Sequence, residues 1–126
     1  MRTATQLNVE MANASGSFAR LCDSLRGADV NIDAVCCSEG KELSIIHMIV
    51  SDTETAKHVL QDVGTVTSEE ILAFDKQNEK GAIYNIVRPL AGAGVNIRNL
   101  YATTHGAGEA TVYVVVDDVE KAKTLF

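Results

Sequence analysis

Residues 6–11 alternate strictly, with Leu7, Val9 and Met11 apolar and Gln6, Asn8 and Glu10 polar. A period of two marks a half-buried strand. The pattern then changes. Phe18, Leu21, Cys22 and Leu25 fall at i, i+3, i+4 and i+7, one face of a helix. Asn13-Ala14-Ser15-Gly16 separates the two patterns, and Ser15 is the expected cap. A second strand is predicted from residue 30 to about residue 38, with a turn at Glu39-Gly40-Lys41. Residues 43–50 are almost wholly apolar, as a strand buried on both faces would be. Asp52 is placed to cap a helix carrying Ala56, Val59, Leu60 and Val63, which Gly64 stops. Residues 65–69 then supply a fourth strand.

The pattern runs twice. Leu25-Arg26-Gly27-Ala28-Asp29-Val30-Asn31-Ile32 returns 65 positions later as Leu90-Ala91-Gly92-Ala93-Gly94-Val95-Asn96-Ile97, identical at six of the eight positions. At the same offset Leu7 matches Leu72, Asn13 matches Asn78, Gly16 matches Gly81, Val50 matches Val115 and Asp52 matches Asp117. So long a period, used twice, describes two copies of one module and not a solenoid. Gly27 and Gly92 are expected at the left-handed position just past a helix end, and Asp29 and Gly94 tolerate positive φ in the turn after it.

In the second copy residues 71–75 form a strand that continues from residues 65–69 without turn chemistry, so one bent strand can serve both copies. Ile83, Ile86, Val87 and Leu90 repeat the helix face. Pro89 is predicted to kink or fray its end, because it removes a donor and crowds the Asn85 carbonyl. Strands over residues 96–104 and 110–117 join at His105-Gly106-Ala107-Gly108. A helix from about residue 118 carries Val119, Ala122, Leu125 and Phe126, and the sequence stops within it. The second copy therefore lacks its last strand. Residues 71–75 would then form a bare sheet edge, a liability that a bent segment over residues 65–75, the first copy's sheet or a second chain would cover, and a homodimer is expected.

At 126 residues the chain divides into two modules, residues 5–69 and 70–126. A module of about 60 residues buries only roughly 60% of its unfolded surface, so the copies are expected to share an interface. The balance of 11 basic against 17 acidic residues leaves −6, with no basic run. Nucleic acid and anionic membranes are excluded as partners on that ground. Three cysteines, two of them adjacent and none in a C-x-x-C spacing, argue against disulfides and zinc. Residues 1–6 contain no apolar leader and no run reaches membrane-spanning length, so a cytoplasmic protein is expected.

Strand, helix, strand, strand, helix, strand is the ferredoxin-like order: α+β, an antiparallel sheet with helices on one face. Each copy also has Asn-x-x-Gly before its first helix and Leu-x-Gly-Ala-x-Val-Asn-Ile at the helix end. On these residues the sequence resembles tandem ACT-domain proteins, regulatory modules of this topology that bind amino acids and related metabolites. Ser15 and Lys80 stand where that family usually has proline.

The loops before the first helices are the candidate ligand sites. Free N–H groups at a helix start can donate to a carboxylate, and the helix dipole favours it. Asn13 with the Ser15-Gly16-Ser17 backbone, and Asn78 with Gly81 and Ala82, are the residues concerned. Glycine admits a ligand close to the backbone, and the Asn13 or Asn78 amide oxygen suits an ammonium group. The resemblance implies that the strand-opening asparagine of a neighbouring module closes each site, here Asn31 with Ile32 or Asn96 with Ile97. The first loop is the better of the two, because Ser17 adds a hydroxyl there while Glu79 and Lys80 crowd the second.

Other candidates carry less. Gly92-Ala93-Gly94 opens a strand and Gly106-Ala107-Gly108 a hairpin, so neither fits a dinucleotide loop, which opens a helix. His47, His58 and His105 lack ligand-spaced partners, and neither metal nor cofactor is expected. The expected function is non-enzymatic: an amino-acid sensor, homodimeric, exerting allosteric regulation on a partner such as a metabolic enzyme. The alternatives are a structural or assembly module without ligand, or a small ferredoxin-like enzyme. The enzyme would need an Arg or His facing a carboxylate in a cleft, and no such pair stands out.

Overall fold

The computed structural model describes residues 1–126. It contains six strands and four helices: β1 Arg2–Ala12, α1 Ser17–Gly27, β2 Ile32–Glu39, β3 Leu43–Val50, α2 Thr53–Val59, β4 Thr65–Gln77, α3 Ala82–Gly92, β5 Ile97–Thr104, β6 Glu109–Val116 and α4 Val119–Lys123. None of the helices is long and apolar enough to cross a membrane. The chain divides into two compact units, one Thr5–Glu69 and the other Glu70–Phe126 together with Met1–Ala4. The long strands β1 and β4 contribute to both, and β4 runs as one strand from Thr65 to Gln77.

In the first unit the strand order is β2-β3-β1-β4. Antiparallel pairing sets Leu7 opposite Met48 and Val9 opposite Ile46, so these side chains share a face. They join Leu21 and Leu25 of α1 and Ala56 of α2 in one core. Both the strand alternation and the helical spacing therefore point at the same interior. The C-terminus of α1 is a Schellman motif. Val30 N–H donates to Leu25 O at 2.9 Å and Asp29 N–H to Arg26 O at 3.1 Å. The left-handed residue is Asp29, at φ 59°, and in the second copy Gly94, at φ 72°. Gly27 and Gly92 are instead the last residues of their helices, which corrects the expectation placed on them. The turn needs its positive φ two residues later, where aspartate tolerates it.

The second unit repeats this plan. Leu72 lies opposite Val114 and Phe74 opposite Val112, and both pack with Ile86 and Leu90 of α3. Val95 N–H donates to Leu90 O at 2.9 Å and Gly94 N–H to Ala91 O at 3.1 Å. Even the register shift is copied, between Ile32 and Ala34 and between Ile97 and Asn99. The repeat offset, however, is not constant. Ile32 pairs with Val50 and Ile97 with Val116, and the helix caps are Asp52 and Asp118. Val116 and Asp118, not Val115 and Asp117, are thus the partners of Val50 and Asp52. The β5–β6 hairpin holds one residue more than β2–β3, so the offset passes from 65 to 66 across it.

Pro89 does not fray α3, which runs on to Gly92 and matches α1 at 11 residues. Asn85, whose carbonyl loses its donor, is exposed. Gly64 also has a different role from the one expected. A Cβ there would overlap the Glu10 carbonyl oxygen and come within 3.2 Å of Met11 Cβ. It permits close approach to β1, while α2 has already ended at Val59. The last helix likewise ends at Lys123, before the end of the sequence.

The expected bare edge at residues 71–75 is not present. In strand order β4 lies between β1 and β6, and residues 2–4 of β1 belong to this unit. Arg2 clamps Asp75, with Nε at 2.9 Å from Oδ2 and a second nitrogen at 3.3 Å from Oδ1. Thr111 Oγ1 also donates to Asp75, at 2.9 Å. The Arg2 guanidinium and then the Thr111 hydroxyl hold the Asp75 carboxyl below its usual range. A folded-state pKa below the unfolded one adds stability that is complete above the ordinary carboxylate range and is lost as pH falls through the folded value. Both side chains are about half exposed, 49% and 54%, so the contribution is small, about 0.5 kcal/mol. Asp75→Asn should therefore be less stable than the parent at pH 7 and converge on it below about pH 4 in urea titrations. A gap unchanged down to pH 2.5 would show that the charge is not responsible.

Candidate ligand site

The turn between β1 and α1 is built around Gly16. It is the N-cap of α1 at φ 86°, and no side chain caps the helix. Ser15 is therefore not the cap, because the left-handed turn places glycine in that position. The first intrahelical bond is Arg20 N–H to Gly16 O, at 3.0 Å. Ser17 N–H is used by Ala14 O at 3.1 Å, which leaves the amides of Phe18 and Ala19 without a capping acceptor. The first turn also contains no acidic residue. An anion at this helix start meets donors and a favourable dipole.

Asn13 ties this turn to the β2–β3 hairpin. Its N–H donates to Glu42 O at 2.9 Å. Its side-chain Nδ2 donates to Gly40 O at 3.0 Å and to Glu39 Oε1 at 3.2 Å. The amide oxygen is the acceptor left over. Between this latch, the start of α1 and the hairpin lies a cavity of about 360 Å³, lined by Met11, Asn13, Ser17, Phe18, Cys37 and Glu39 among others. Glu39 is its single charged lining residue, and no Lys, Arg or His lines it. Burial first, then the neighbouring Cys36 and Cys22, pushes the Cys37 thiol up, so it remains a neutral thiol.

The structure thus brings Asn13 and Ser17 to one cavity, whose lining does not include Ser15 or Gly16. Asn31 and Ile32 lie at the other end of α1. They line a separate depression of about 400 Å³ with Leu25, Arg26 and Asp29. Eleven residues of helix, about 16 Å, separate the two ends. Asn31 N–H donates to Ser51 Oγ at 2.9 Å and its side chain to Asp33 at 2.8 Å. Asn96 N–H donates to Asp117 Oδ1 at 3.0 Å, a similar clamp from strand start to strand end.

In the second unit Gly81, at φ 84°, caps α3 as Gly16 caps α1. Asn78 N–H donates to Gly108 O at 2.7 Å, and its side chain donates to Gly106 O. The latch is conserved between the copies, but the chemistry around it is not. Ala82 replaces Ser17. The residue paired across the hairpin in the place of Glu39, opposite Ser44, is Thr104, opposite Ala110. Thr104 donates to Gly106 O at 3.0 Å.

Glu39, Cys37 and Phe18 as cavity residues were not evident from sequence. The signal was available in parity: with the hairpin register known, Glu39 and Cys37 fall on the same face as Ile46. His47, mid-strand, sits on the opposite face. Its Nδ1 lies 2.7 Å from Asn8 Oδ1 and 3.3 Å from Gln6 Nε2. No group of three or more His, Cys, Asp or Glu side chains is arranged to hold a metal ion.

Two ferredoxin-like units with a glycine-capped first helix and a latched hairpin define a tandem regulatory-module fold. The family model for the ACT domain pair matches residues 2–126, and the chain belongs to that family. Among solved structures it is similar to protein BT0572 from Bacteroides thetaiotaomicron, at 25% identity and a TM-score of 0.89 over 98% of this chain and 85% of that one. It is also similar to the ligand-free regulatory subunit of aspartate kinase from Thermus thermophilus, at 13% identity and a TM-score of 0.72 over 99% and 93%. Aspartokinase III from E. coli, in complex with aspartate and ADP, matches at 14% identity and a TM-score of 0.61, over 98% of this chain and 30% of the enzyme. Among curated proteins none matches the sequence.

Proposed function

We propose that this chain is a non-catalytic regulatory protein that binds an amino acid at the first-unit cavity and transmits its occupancy to a partner enzyme. The observation that carries the reading is the cavity itself, lined by Asn13 and by Ser17 and Phe18 at the start of a helix that no side chain caps. A carboxylate on the amides and an ammonium group on the amide oxygen match a zwitterion. At about 360 Å³ the space lies near the small end of the roughly 300–1,000 Å³ typical of ligand pockets. Membership of the ACT domain pair family supports a regulatory role. The likeness to an aspartate kinase regulatory subunit supports an enzyme as the partner.

A small amino acid of about 7–9 heavy atoms, at roughly 0.6–0.8 kcal/mol per atom, binds with about 5–7 kcal/mol, in the micromolar to submillimolar range. A second copy of the chain completes the reading as a homodimer, with Asn31 or Asn96 of a neighbouring module closing the cavity. Phe18, 38% exposed at its mouth, is the kind of surface such a contact covers. Three free cysteines suit a reducing cytoplasm.

Ser17→Glu provides the test. A carboxylate in the first helical turn favours the helix but occupies the place of the ligand's own carboxylate. Glycine 16 is less suitable, because any side chain at φ 86° strains the backbone. Thermal-shift screening against the twenty amino acids should give stabilisation of the parent and none of Ser17→Glu, with the variant's own melting temperature equal or higher. Equal stabilisation of both would place the ligand elsewhere. The second reading, an assembly module without ligand, is favoured by the Asn13 and Asn78 latches, which occupy both asparagines structurally. It predicts no amino-acid stabilisation of the parent.

A further inference from the structure

Leu43 and Ile45 are 47% and 39% exposed, two large apolar side chains on one strand. Side chains alternate along a strand, and Ile46 faces the core, so both lie on the side of the sheet away from α1. They line a depression of about 540 Å³ with Glu10, Glu39, Lys41 and Glu42. It shares Ser38 and Glu39 with the first cavity but opens on the other side of the hairpin. The fold does not require an apolar pair there. At the matching positions of the second unit, fixed by pairing with Gln77 and Asp75, stand Glu109 and Thr111. Thr111 donates to Asp75, and Arg2 neutralises it. In the first unit Glu10 faces Ile45, which offers a carboxylate no hydrogen bond. One copy closes its polar surface internally. The other presents two apolar side chains among three carboxylates and one ammonium group.

That charge decides the occupant. A second copy of the chain would bring the same carboxylates against these, and anionic lipid or nucleic acid would be repelled likewise. β3 lies between β2 and β1, so the pair sits on the sheet face, where an added strand cannot hydrogen-bond as it does at an edge. A helix with an apolar stripe flanked by Lys or Arg meets both the floor and the rim.

We propose, on the regulatory reading above, that this side of the β2–β3 hairpin is the docking surface for the partner, and that the partner presents a basic amphipathic helix. Leu43 and Ile45 take its apolar stripe, and Glu10 and Glu42 its flanking cations. The second unit, with Glu109 and Thr111, has no such surface.

The probe is a synthetic peptide of about 14 residues, roughly four helical turns, with Leu at helical spacing and Lys elsewhere. Titrated into the isotope-labelled full chain at low salt, it should shift amide NMR signals centred on Leu43 and Ile45. The same peptide with Glu for Lys should not bind. The double variant Leu43→Glu, Ile45→Thr installs the second unit's residues and adds a negative charge, so attraction by charge alone would tighten binding. Loss of the apolar floor should instead weaken it about tenfold. Glu10→Gln with Glu42→Gln, which leaves the floor intact, should weaken it about threefold, and less at high salt. Equal or tighter binding by the Leu43→Glu, Ile45→Thr variant, shifts spread over the acidic surface, binding of the Glu peptide, or no binding by the parent each overturns the docking surface. The amino-acid thermal shift is decided separately, because neither Leu43 nor Ile45 lines the first cavity.

Discussion

Leu25→Ala is expected to cost about 3–4 kcal/mol of folding stability. Leu25 is 1% exposed and belongs to the core formed by β1, β3 and α1. Removing three carbon atoms loses their transfer energy and leaves a cavity that a close-packed interior fills only in part. The position carries a second function. Leu25 O accepts from Val30 N–H in the Schellman turn, and Val30 is buried in the same core. Alanine keeps that hydrogen bond but loses the apolar contact that accompanies it, so the turn into β2 loosens as well. Urea denaturation measures the loss, and a cost below about 1 kcal/mol would contradict the packing described. A domain with a total stability of about 5–15 kcal/mol tolerates one such substitution and not two.

Gly64→Ala should cost about 2–3 kcal/mol, an unusual magnitude for adding one methyl group. The new Cβ would collide with the Glu10 carbonyl oxygen, and backbone cannot yield as a flexible side chain does. Relief requires β1 and the segment after α2 to move apart, which opens the core at Met11. Gly92→Ala is the control. Nothing lies within 4 Å of a Cβ there, and the residue is helical with negative φ. Alanine at that site should gain about 0.5–1 kcal/mol through helix propensity. If the two substitutions prove alike in thermal unfolding, close approach is not the reason for Gly64.

These glycines show where the sequence was readable. The alternation of residues 6–11, the helical spacing from Phe18 to Leu25 and the repeated octamer are local, so periodicity alone located the strands, helices and duplication. Composition suggested glycine for the left-handed positions, but Gly27 and Gly92 end their helices while Asp29 and Gly94 take the turn. The change of offset was hidden for a simpler reason. Val114-Val115-Val116 and Asp117-Asp118 look the same when slipped by one, so an extra residue in the β5–β6 hairpin leaves no mark on the pattern. Asn13, Gly16 and Ser17 were legible as turn and helix-start chemistry. Glu39 was not, because its place on the cavity depends on pairing register, a relation between strands.

The least legible feature was the placement of residues 2–4, whose polar sequence shows no strand alternation. Their location gives the two units unequal folding problems. Residues 5–69 are contiguous, so the first unit is complete once a single stretch of chain is present. The second joins Arg2 to Asp75 across a separation of 73 residues. The entropy of closing that long loop must be met before the clamp contributes anything.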